Sequence, residues 1–204
     1  MSEFGKYDVY TVVGSIYCYK GTNILRNKLD IRDGDELRRL DADISLLKQK
    51  SLLTNPIMGR FTSNHLCRIH KYMFEDVYPF AGHFRREDIM KGQTRFLHHG
   101  QIADEMYKLL SNLKEKNYLR GLDYDTFVER SAYYFAELNY IHPFREGNGR
   151  SLREFMRLLF ELNGYRVDWA AVSAEKLLQA MEDSVYDTSN LQKVLRVCLL
   201  VEDK

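Results

Sequence analysis

Residues 141–150 read IHPFREGNGR, and this stretch predicts how the surrounding chain folds. Pro143 disfavours helical backbone angles at the residue before it, so a helix that arrives from the N-terminal side should end near Tyr140. His142 is therefore predicted to lie on a loop between two helices. Because an unperturbed imidazole has a pKa of about 6.5, its neutral form is available as a base at physiological pH.

The segment after the histidine predicts an anion site at the start of the next helix. Gly147 and Gly149 flank Asn148, and glycine allows tight backbone turns while leaving room for a bulky anion. Unpaired N–H groups and the positive end of the helix dipole attract anions to a helix N-terminus. Arg150 and Arg153 are three residues apart, so both can reach the same phosphates from the first turn.

Glu146 places a carboxylate immediately before this anion site. A lone carboxylate would repel a polyphosphate unless a cation lay between them. Mg²⁺ prefers one or two carboxylates together with phosphate oxygens, and Glu146 can supply one of them. In chain order, the stretch therefore predicts a base, a metal ligand, a phosphate cradle and a phosphate clamp.

Outside this stretch, the spacing of apolar residues predicts an all-α fold, since the chain has only three prolines. The predicted helix caps are Asp33 or Asp35, Thr62 or Ser63, Asp123 or Asp125, and Ser173, and Asn163-Gly164 is a typical helix stop. The predicted inward faces are Leu37, Leu40, Ile44 and Leu47; Leu66, Ile69, Met73, Phe74 and Val77; Ile102, Met106, Leu109, Leu110 and Leu113; Phe127, Tyr134, Phe135, Leu138 and Ile141; Leu152, Phe155, Met156, Leu159 and Leu162; Leu177, Leu178, Met181 and Val185; and Leu191, Val194, Leu195 and Cys198.

Two segments have no helical periodicity. Residues 1–30 are rich in tyrosine and are predicted to form an extended arm, and residues 82–100 are predicted to form a short hairpin or loop around Lys91-Gly92. We divide the chain into an N-terminal arm and helix (1–59), a core (60–185) and a C-terminal helix that packs on the core (186–204). His98 and His99 are adjacent, but no second ligand pair at a known spacing accompanies them, so the sequence alone does not predict a metal there.

Charge and composition exclude several classes of protein. The net charge is +1 over 204 residues, which argues against a general nucleic-acid or membrane-surface binder. No apolar run approaches the roughly 18 residues of a membrane-spanning helix, and no Sec-type signal peptide is visible at the start. The three cysteines are far apart, so we expect small buried thiols in a reducing cytosol.

The segment from His142 to Arg150, followed by Arg153, resembles the HPFx[DE]GNGRxxR signature of Fic-domain proteins. Residues 77–82 (VYPFAG), followed by Arg85, are similar to the segment before that family's flap, and Lys91-Gly92 is similar to the flap itself. The resemblance covers about residues 60–185. It implies the Fic fold: an all-α helical bundle core with a short β-hairpin flap, here with an extended N-terminal arm.

The resemblance also implies an activity, the transfer of AMP from ATP to a Tyr, Thr or Ser hydroxyl of a target protein. The implied roles are His142 as general base, Glu146 as Mg²⁺ ligand, Gly147, Asn148 and Gly149 as anion hole, Arg150 and Arg153 as ligands of the outer phosphates, Phe144 as loop anchor, Ile89, Met90, Lys91 and Gly92 as target-docking flap, and Lys91 also as an ATP contact. Family members that phosphorylate carry a lysine at the position of Gly149. The glycine therefore favours AMP transfer.

The resemblance finally implies a form of regulation. Many Fic proteins carry an inhibitory [ST]xxxE[GN] helix, but the only Ser/Thr-x-x-x-Glu here runs from Ser111 to Glu115 and is followed by Lys116. We therefore expect a bacterial toxin or effector that is restrained by a small antitoxin supplying its glutamate in trans. Residues 17–29 resemble the N-terminal segment of that class. We expect it in the bacterial cytoplasm, or translocated into a host cell by a specialised secretion system. An inactive Fic-fold binding module, a phosphorylating enzyme and a de-AMPylating enzyme remain the alternatives.

Overall fold

A computed structural model describes residues 14–92 and 94–201 of the chain. Within these residues the fold consists of seven α-helices and two small antiparallel strand pairs, so the predicted all-α class is confirmed. The elements are α1 (Gly34–Thr54), α2 (Ser63–Phe74), β1 (Met90–Lys91), β2 (Thr94–Arg95), α3 (Ile102–Glu115), α4 (Tyr124–Ile141), α5 (Asn148–Leu162), β3 (Tyr165–Val167), α6 (Ala174–Asp183), α7 (Ser189–Cys198) and β4 (Leu199–Val201).

Four helices begin at residues that the sequence predicted as caps. The Asp33, Thr62, Asp123 and Ser173 side chains each accept a hydrogen bond from a backbone N–H in the first turn of the helix that follows. A cap of this kind stabilises a helix by about 1 kcal/mol because it satisfies a donor with no partner inside the helix. The helix boundaries therefore follow from local chemistry.

The core lies around α5, which packs against α2, α4 and β3. The predicted inward faces of α2, α3, α4 and α7 are all buried. The prediction for α1 is wrong at one position, because Leu47 is 67% exposed. The side of α1 that faces the core buries Asp41 and Ser45 instead, since a charged group of α5 lies opposite them.

The predicted hairpin in residues 82–100 is confirmed as the antiparallel pair β1–β2, in which Met90 faces Arg95 and Lys91 faces Thr94. A second pair, β3–β4, joins the segment after α5 to the end of the described chain. The sequence did not predict this pair, because three-residue strands are too short to show an alternating pattern. Among the described residues, no helix is long and apolar enough to span a membrane.

The described part of the N-terminal arm packs on the core. Tyr17 packs edge-on against Phe80 with ring centroids 5.2 Å apart, and the Lys28 N–H donates to the Val77 carbonyl at 2.8 Å. Within the arm the chain turns back on itself, and Cys18 pairs with Leu25 in an isolated bridge. Residues 1–13, for which an extended arm was also predicted, lie outside the described residues.

Candidate active site

His142 ends α4 as its C-terminal cap in a left-handed conformation, with φ of 46°. Its Nδ1 lies 3.0 Å from the Asn139 carbonyl oxygen. A carbonyl only accepts, so Nδ1 carries the ring proton, and the lone pair of the neutral ring lies on Nε2. Phe96 stacks on the ring at 3.8 Å and 17°. The fold thus holds His142 in one orientation and in the tautomer that a base at Nε2 requires.

The loop after His142 is closed by a reciprocal pair of hydrogen bonds. The Phe144 N–H donates to Asn148 Oδ1, and Asn148 Nδ2 donates to the Phe144 carbonyl, both at 2.8 Å. Phe144 is fully buried and stacks on His70 at 3.8 Å, as the predicted anchor should. The Asn148 side chain therefore shapes the loop, and its backbone N–H remains as the group that can meet an anion.

His70 supports the loop from below, which the sequence did not predict. Its Nε2–H donates to the Glu146 carbonyl at 2.9 Å, and its Nδ1 accepts from the Gly82 N–H at 2.8 Å. Burial lowers the pKa of His70 to about 3, so the ring is neutral near pH 7. A neutral ring is what this pair of bonds needs, because one nitrogen donates and the other accepts.

The first turn of α5 lies where the sequence predicts an anion site, and its geometry is compatible with that prediction. Gly147 precedes the helix with φ of 79°, and the helix start has no capping side chain and no acidic residue in its first turn. A Cβ at Gly147 would lie 2.4 Å from the Phe74 ring, so only glycine fits here. The N–H groups of this turn and the helix dipole together favour a bound phosphate.

The two arginines near the start of α5, Arg150 in the first turn and Arg153 in the second, are placed differently. Arg150 donates to both carboxylate oxygens of Asp41, at 2.9 and 3.0 Å, and also to Ser45 and Glu146. Arg153 instead places Nη1 3.3 Å from the position of a Cβ on Gly149, beside the anion site. A phosphate role for Arg150 stays a prediction, and Asp41 is the partner that sequence reasoning missed. The signal for this partner in the sequence was a carboxylate, Asp41, on the otherwise apolar face of α1.

The Glu146 carboxylate lies beside the anion site, where Oε1 accepts from the Gly147 N–H at 2.9 Å and from Arg150 Nη2 at 3.3 Å. The residue is 5% exposed. One carboxylate next to a phosphate-binding helix end fits Mg²⁺, which is commonly held by one or two carboxylates, substrate phosphates and water. The Mg²⁺ role of Glu146 stays a prediction.

The flap (residues 89–97) covers this loop and is joined to it by Arg85. The buried Arg85 guanidinium donates from Nε to the His142 carbonyl at 2.9 Å and also to the carbonyls of Leu97 and Glu87, while its backbone N–H donates to the Pro143 carbonyl at 2.8 Å. Arg85 stood in the motif before the flap, but the sequence assigned it no role. Its contacts fix the distance between the flap and the candidate base.

The flap residues predicted to dock a target occupy different environments. Ile89 is buried, Met90 and Lys91 are half-buried, and Gly92 forms the exposed turn with φ of 57°. Lys91 Nζ lies 3.6 Å from Glu182 Oε1 on α6. Contacts of residues 89–92 with a target, and of Lys91 with ATP, stay predictions.

The arm also reaches the loop, through Glu87. Its Oε1 accepts from Ser15 Oγ at 2.7 Å and from Arg145 Nε at 2.9 Å, and its Oε2 accepts from the Ile16 N–H at 3.0 Å. A buried ion pair thus joins the arm, the start of the flap segment and the candidate catalytic loop.

The sequence model of the Fic/DOC family matches residues 60–160. In addition, the chain is 34% identical over 181 residues to a protein of Salmonella typhimurium named "Probable protein adenylyltransferase Fic", covering 88% of this chain and 90% of that one. The chain belongs to the Fic/DOC family. It is 38% identical over 174 residues to "Protein adenylyltransferase VbhT" of Bartonella schoenbuchensis, covering 85% of this chain and 36% of that protein. The chain therefore matches about a third of the length of this relative.

The fold agrees with this membership. The BepC protein of Bartonella tribocorum, a VirB-translocated effector protein solved with bound AMPPNP, superimposes with a TM-score of 0.84 at 26% identity. The match covers 92% of this chain and 97% of that one. A Fic-family fold with the predicted hairpin flap is thus established, and a solved structure of similar fold binds an ATP analogue.

Proposed function

We propose that this chain is a protein adenylyltransferase, which transfers AMP from ATP to a Tyr, Thr or Ser hydroxyl of a target protein. The observation that carries the proposal is the orientation of His142, whose Nδ1 proton is committed to the Asn139 carbonyl beside a helix start with no capping side chain. This geometry supports the proposal of a base at Nε2 and an anion site on one short loop. The names of the Salmonella and Bartonella relatives support the same activity.

In the reaction, the target hydroxyl attacks the α-phosphorus of ATP in line with the leaving group. An oxygen–phosphorus bond forms to the target, the bond from the α-phosphorus to the bridging oxygen breaks, and pyrophosphate leaves. The hydroxyl proton passes to His142 Nε2. Positioning and charge stabilisation supply most of the rate enhancement in transfers of this kind, and the restrained loop suits that role.

The phosphates lie at the start of α5 in this proposal. The backbone N–H groups of Asn148 and Gly149 bind phosphate oxygens, and Arg153 binds the outer phosphates. Arg150 supports the loop through its ion pair with Asp41. In this proposal it contacts the outer phosphates in addition to that ion pair. Bound Mg²⁺, held by Glu146, would neutralise charge on the phosphates.

The flap holds the target segment. The two strands β1 and β2 form a two-stranded ribbon, and an extended target segment can add to its edge through backbone hydrogen bonds. Residues 89–92 lie on β1 and its turn, and Phe96 at the far end contacts His142. A docked hydroxyl residue is in this way brought toward the base.

We also propose that the enzyme is a bacterial toxin or effector that a separate small antitoxin restrains. The antitoxin glutamate would pair with Arg153 at the start of α5 and block productive ATP binding. Co-expression of the chain with its genomic neighbours, followed by purification, tests this. A stable complex with a small protein that inhibits transfer is expected, and an enzyme whose neighbours neither bind nor inhibit it would contradict the antitoxin proposal alone.

The test of the activity uses ATP labelled on the α-phosphate and, in parallel, on the γ-phosphate. The chain and its His142→Ala variant are incubated with Mg²⁺, labelled ATP and a bacterial lysate. We expect label on protein from the α-position only, and none with the variant. Label from the γ-position alone would indicate a phosphorylating enzyme. No transfer from either position, despite measurable ATP binding, would favour an inactive binding module.

A further inference from the structure

We propose that Asp88, His98 and His99 form a binding site for a divalent transition-metal ion of the zinc class at the base of the flap. One ligand atom from each of the three residues lies within 4.8 Å of the other two. Two imidazoles and a carboxylate are a ligand set that zinc and its neighbours in the first transition series bind well. None of these three residues belongs to the proposed nucleotide site around His142 and Glu146.

The fold creates this cluster from residues that are distant in sequence. Asp88 comes immediately before the flap, and His98 and His99 come immediately after it. The pairing of Met90 with Arg95 and the hydrogen bond from the Phe96 N–H to the Ile89 carbonyl, at 3.4 Å, bring the two ends together. The adjacent histidines lacked a third ligand in the sequence, and the hairpin supplies one.

The distances fit an ion between the side chains. His98 Nε2 lies 3.6 Å from Asp88 Oδ2, which is too long for a hydrogen bond. Two ligands at about 2.0–2.1 Å from a tetrahedral ion lie roughly 3.4 Å apart. His99 Nδ1 lies 2.9 Å from Asp88 Oδ1, so there a proton occupies the place that a metal would take.

The surroundings of the carboxylate support the site. The His99 backbone N–H donates to Asp88 Oδ1 at 2.8 Å and so orients the carboxylate, as hydrogen bonds to ligating carboxylates commonly do. The three side chains are 56%, 57% and 38% exposed for Asp88, His98 and His99, so an ion can enter and water can complete its coordination.

Two contacts oppose metal binding, so we expect the bound ion to exchange with ions in solution. Arg85 Nη1 lies 3.7 Å from Asp88 Oδ1 and partly neutralises the carboxylate. His98 Nδ1 accepts from the Gly100 N–H at 3.2 Å, and this bond is lost when a metal on Nε2 leaves the proton on Nδ1. With three protein ligands and these costs, the ion should bind reversibly rather than as a permanent structural centre.

A bound ion would tie the two ends of the flap together. Phe96 lies between β2 and His98 in the chain, and its ring stacks on His142. An ion that holds the two ends of the flap together therefore also restrains the aromatic ring that covers His142. Nitrogen ligands select zinc, nickel, cobalt or copper ions over Mg²⁺, which prefers oxygen. Mg²⁺ that accompanies ATP should therefore not compete for this site.

The test is a calorimetric titration of the full chain, without a histidine tag and stripped of metal, with Zn²⁺ in a buffer that contains Mg²⁺. We expect one Zn²⁺ per chain, binding at least tenfold weaker in His98→Ala and in His99→Ala, and clearly weaker in Asp88→Asn. His83→Ala removes an exposed histidine outside the cluster and is the matched control, so its affinity should equal that of the unaltered chain. Circular dichroism before titration confirms that each variant is folded.

A second readout identifies the bound atoms. In nuclear magnetic resonance spectra of the chain with ¹⁵N-labelled histidine, Zn²⁺ should give the large shifts of direct coordination at His98 Nε2 and His99 Nδ1. The His142 nitrogens should show at most the small shift of a neighbouring ring that has been restrained. The proposal is overturned if no saturable Zn²⁺ binding is observed, if both histidine variants keep their affinity within twofold, or if the coordination shifts belong to His142.

Discussion

The candidate catalytic loop (residues 142–150) and the flap contact each other but are stabilised in different ways. In the loop, polar groups are buried and form hydrogen bonds to residues on three helices: Asp41 on α1, His70 on α2 and Asn139 on α4. In the flap, two short strands of two residues each pair with each other around an exposed Gly92 turn. The loop is therefore preorganised, whereas the flap is held mainly at its ends.

This difference suits the two regions to the different tasks that we propose for them. A loop that orients a base and an anion site gains from a fixed geometry, because misplaced groups lose most of their catalytic effect. A flap that accepts a segment of another protein gains from an open strand edge, since its hydrogen bonds are completed by the target. Variants in the two regions should therefore differ in the size and kind of their effects.

The largest expected effect is the loss of the base. His142→Ala should lower the rate of AMP transfer by about 10³-fold, because general bases commonly contribute 10²–10⁴-fold, while ATP affinity changes little. Lys91→Ala in the flap should lower kcat by less than about tenfold, because Lys91 carries no proton in the proposed reaction. Steady-state kinetics and ATP titration measure both. An equal loss of kcat in the two variants would contradict the division of tasks.

A glycine with positive φ in each region, Gly147 in the loop and Gly92 in the flap, provides the second contrast. Gly147→Ala should reduce the free energy of unfolding by about 2–5 kcal/mol, because its Cβ would lie 2.4 Å from Phe74 and the backbone is left-handed. A Cβ at Gly92 would have no atom within 4 Å, so Gly92→Ala should reduce the free energy of unfolding by only about 1 kcal/mol, from the positive φ alone. Urea unfolding compares the two. Equal losses would mean that the loop is less tightly packed than its contacts indicate.

The third contrast concerns ion pairs. Asp41→Ala should destabilise the chain by about 3 kcal/mol, because it removes the bidentate partner of the largely buried Arg150. Glu182→Ala removes the more exposed partner of Lys91 and should cost less than about 0.5 kcal/mol. Asp43→Ala, at an exposed site on the same helix as Asp41, is the matched control. Replacing Arg150 by Met in the Asp41→Ala background should recover part of the loss, and no recovery would exclude an unpaired charge as its cause.

The smallest expected effect is a pH dependence of stability that comes from the support of the loop. The pKa of His70 is lowered to about 3 in the folded chain, whereas an unfolded histidine titrates near pH 6.5. The unfolded chain therefore binds the additional proton, and stability falls as pH is lowered below about 6.5, by at most roughly 1.4 kcal/mol per pH unit.

Burial also lowers the pKa of His65, which contributes with the same sign. Chemical unfolding between pH 7.5 and pH 5 measures the slope, and a His70→Asn variant should have a smaller one. This pH range lies above the ordinary pKa of Asp and Glu side chains, so most carboxyl groups stay ionised throughout it. A slope that is unchanged in the variant would mean that the His70 ring is protonated in the fold.

The order of elements could be predicted because most of its determinants are local. Asp33, Thr62, Asp123 and Ser173 cap helices through bonds to their own first turns, and the apolar spacing of α2 to α4 needs no knowledge of partners. The β3–β4 pair could not be predicted, since its two strands meet only after α6 and α7 have folded between them.

For the candidate site, the sequence by itself determined which groups are present and in what order. The proline after His142 ends α4, Gly147 allows the left-handed residue before α5, and Arg153 follows one turn into the helix. These effects act between residues at most a few positions apart, so they can be read along the chain. They were sufficient to predict a Fic-family protein and to propose a base and an anion site in it.

Only the tertiary structure decided what each of these groups contacts. It paired Arg150 with Asp41 across 109 positions, made His70 the neutral support of the loop, and placed Phe96 on His142. It also brought Asp88 to His98 and His99 at the base of the flap. Such contacts depend on how helices pack and where a hairpin closes, and those distances follow from the whole core rather than from any local run of residues.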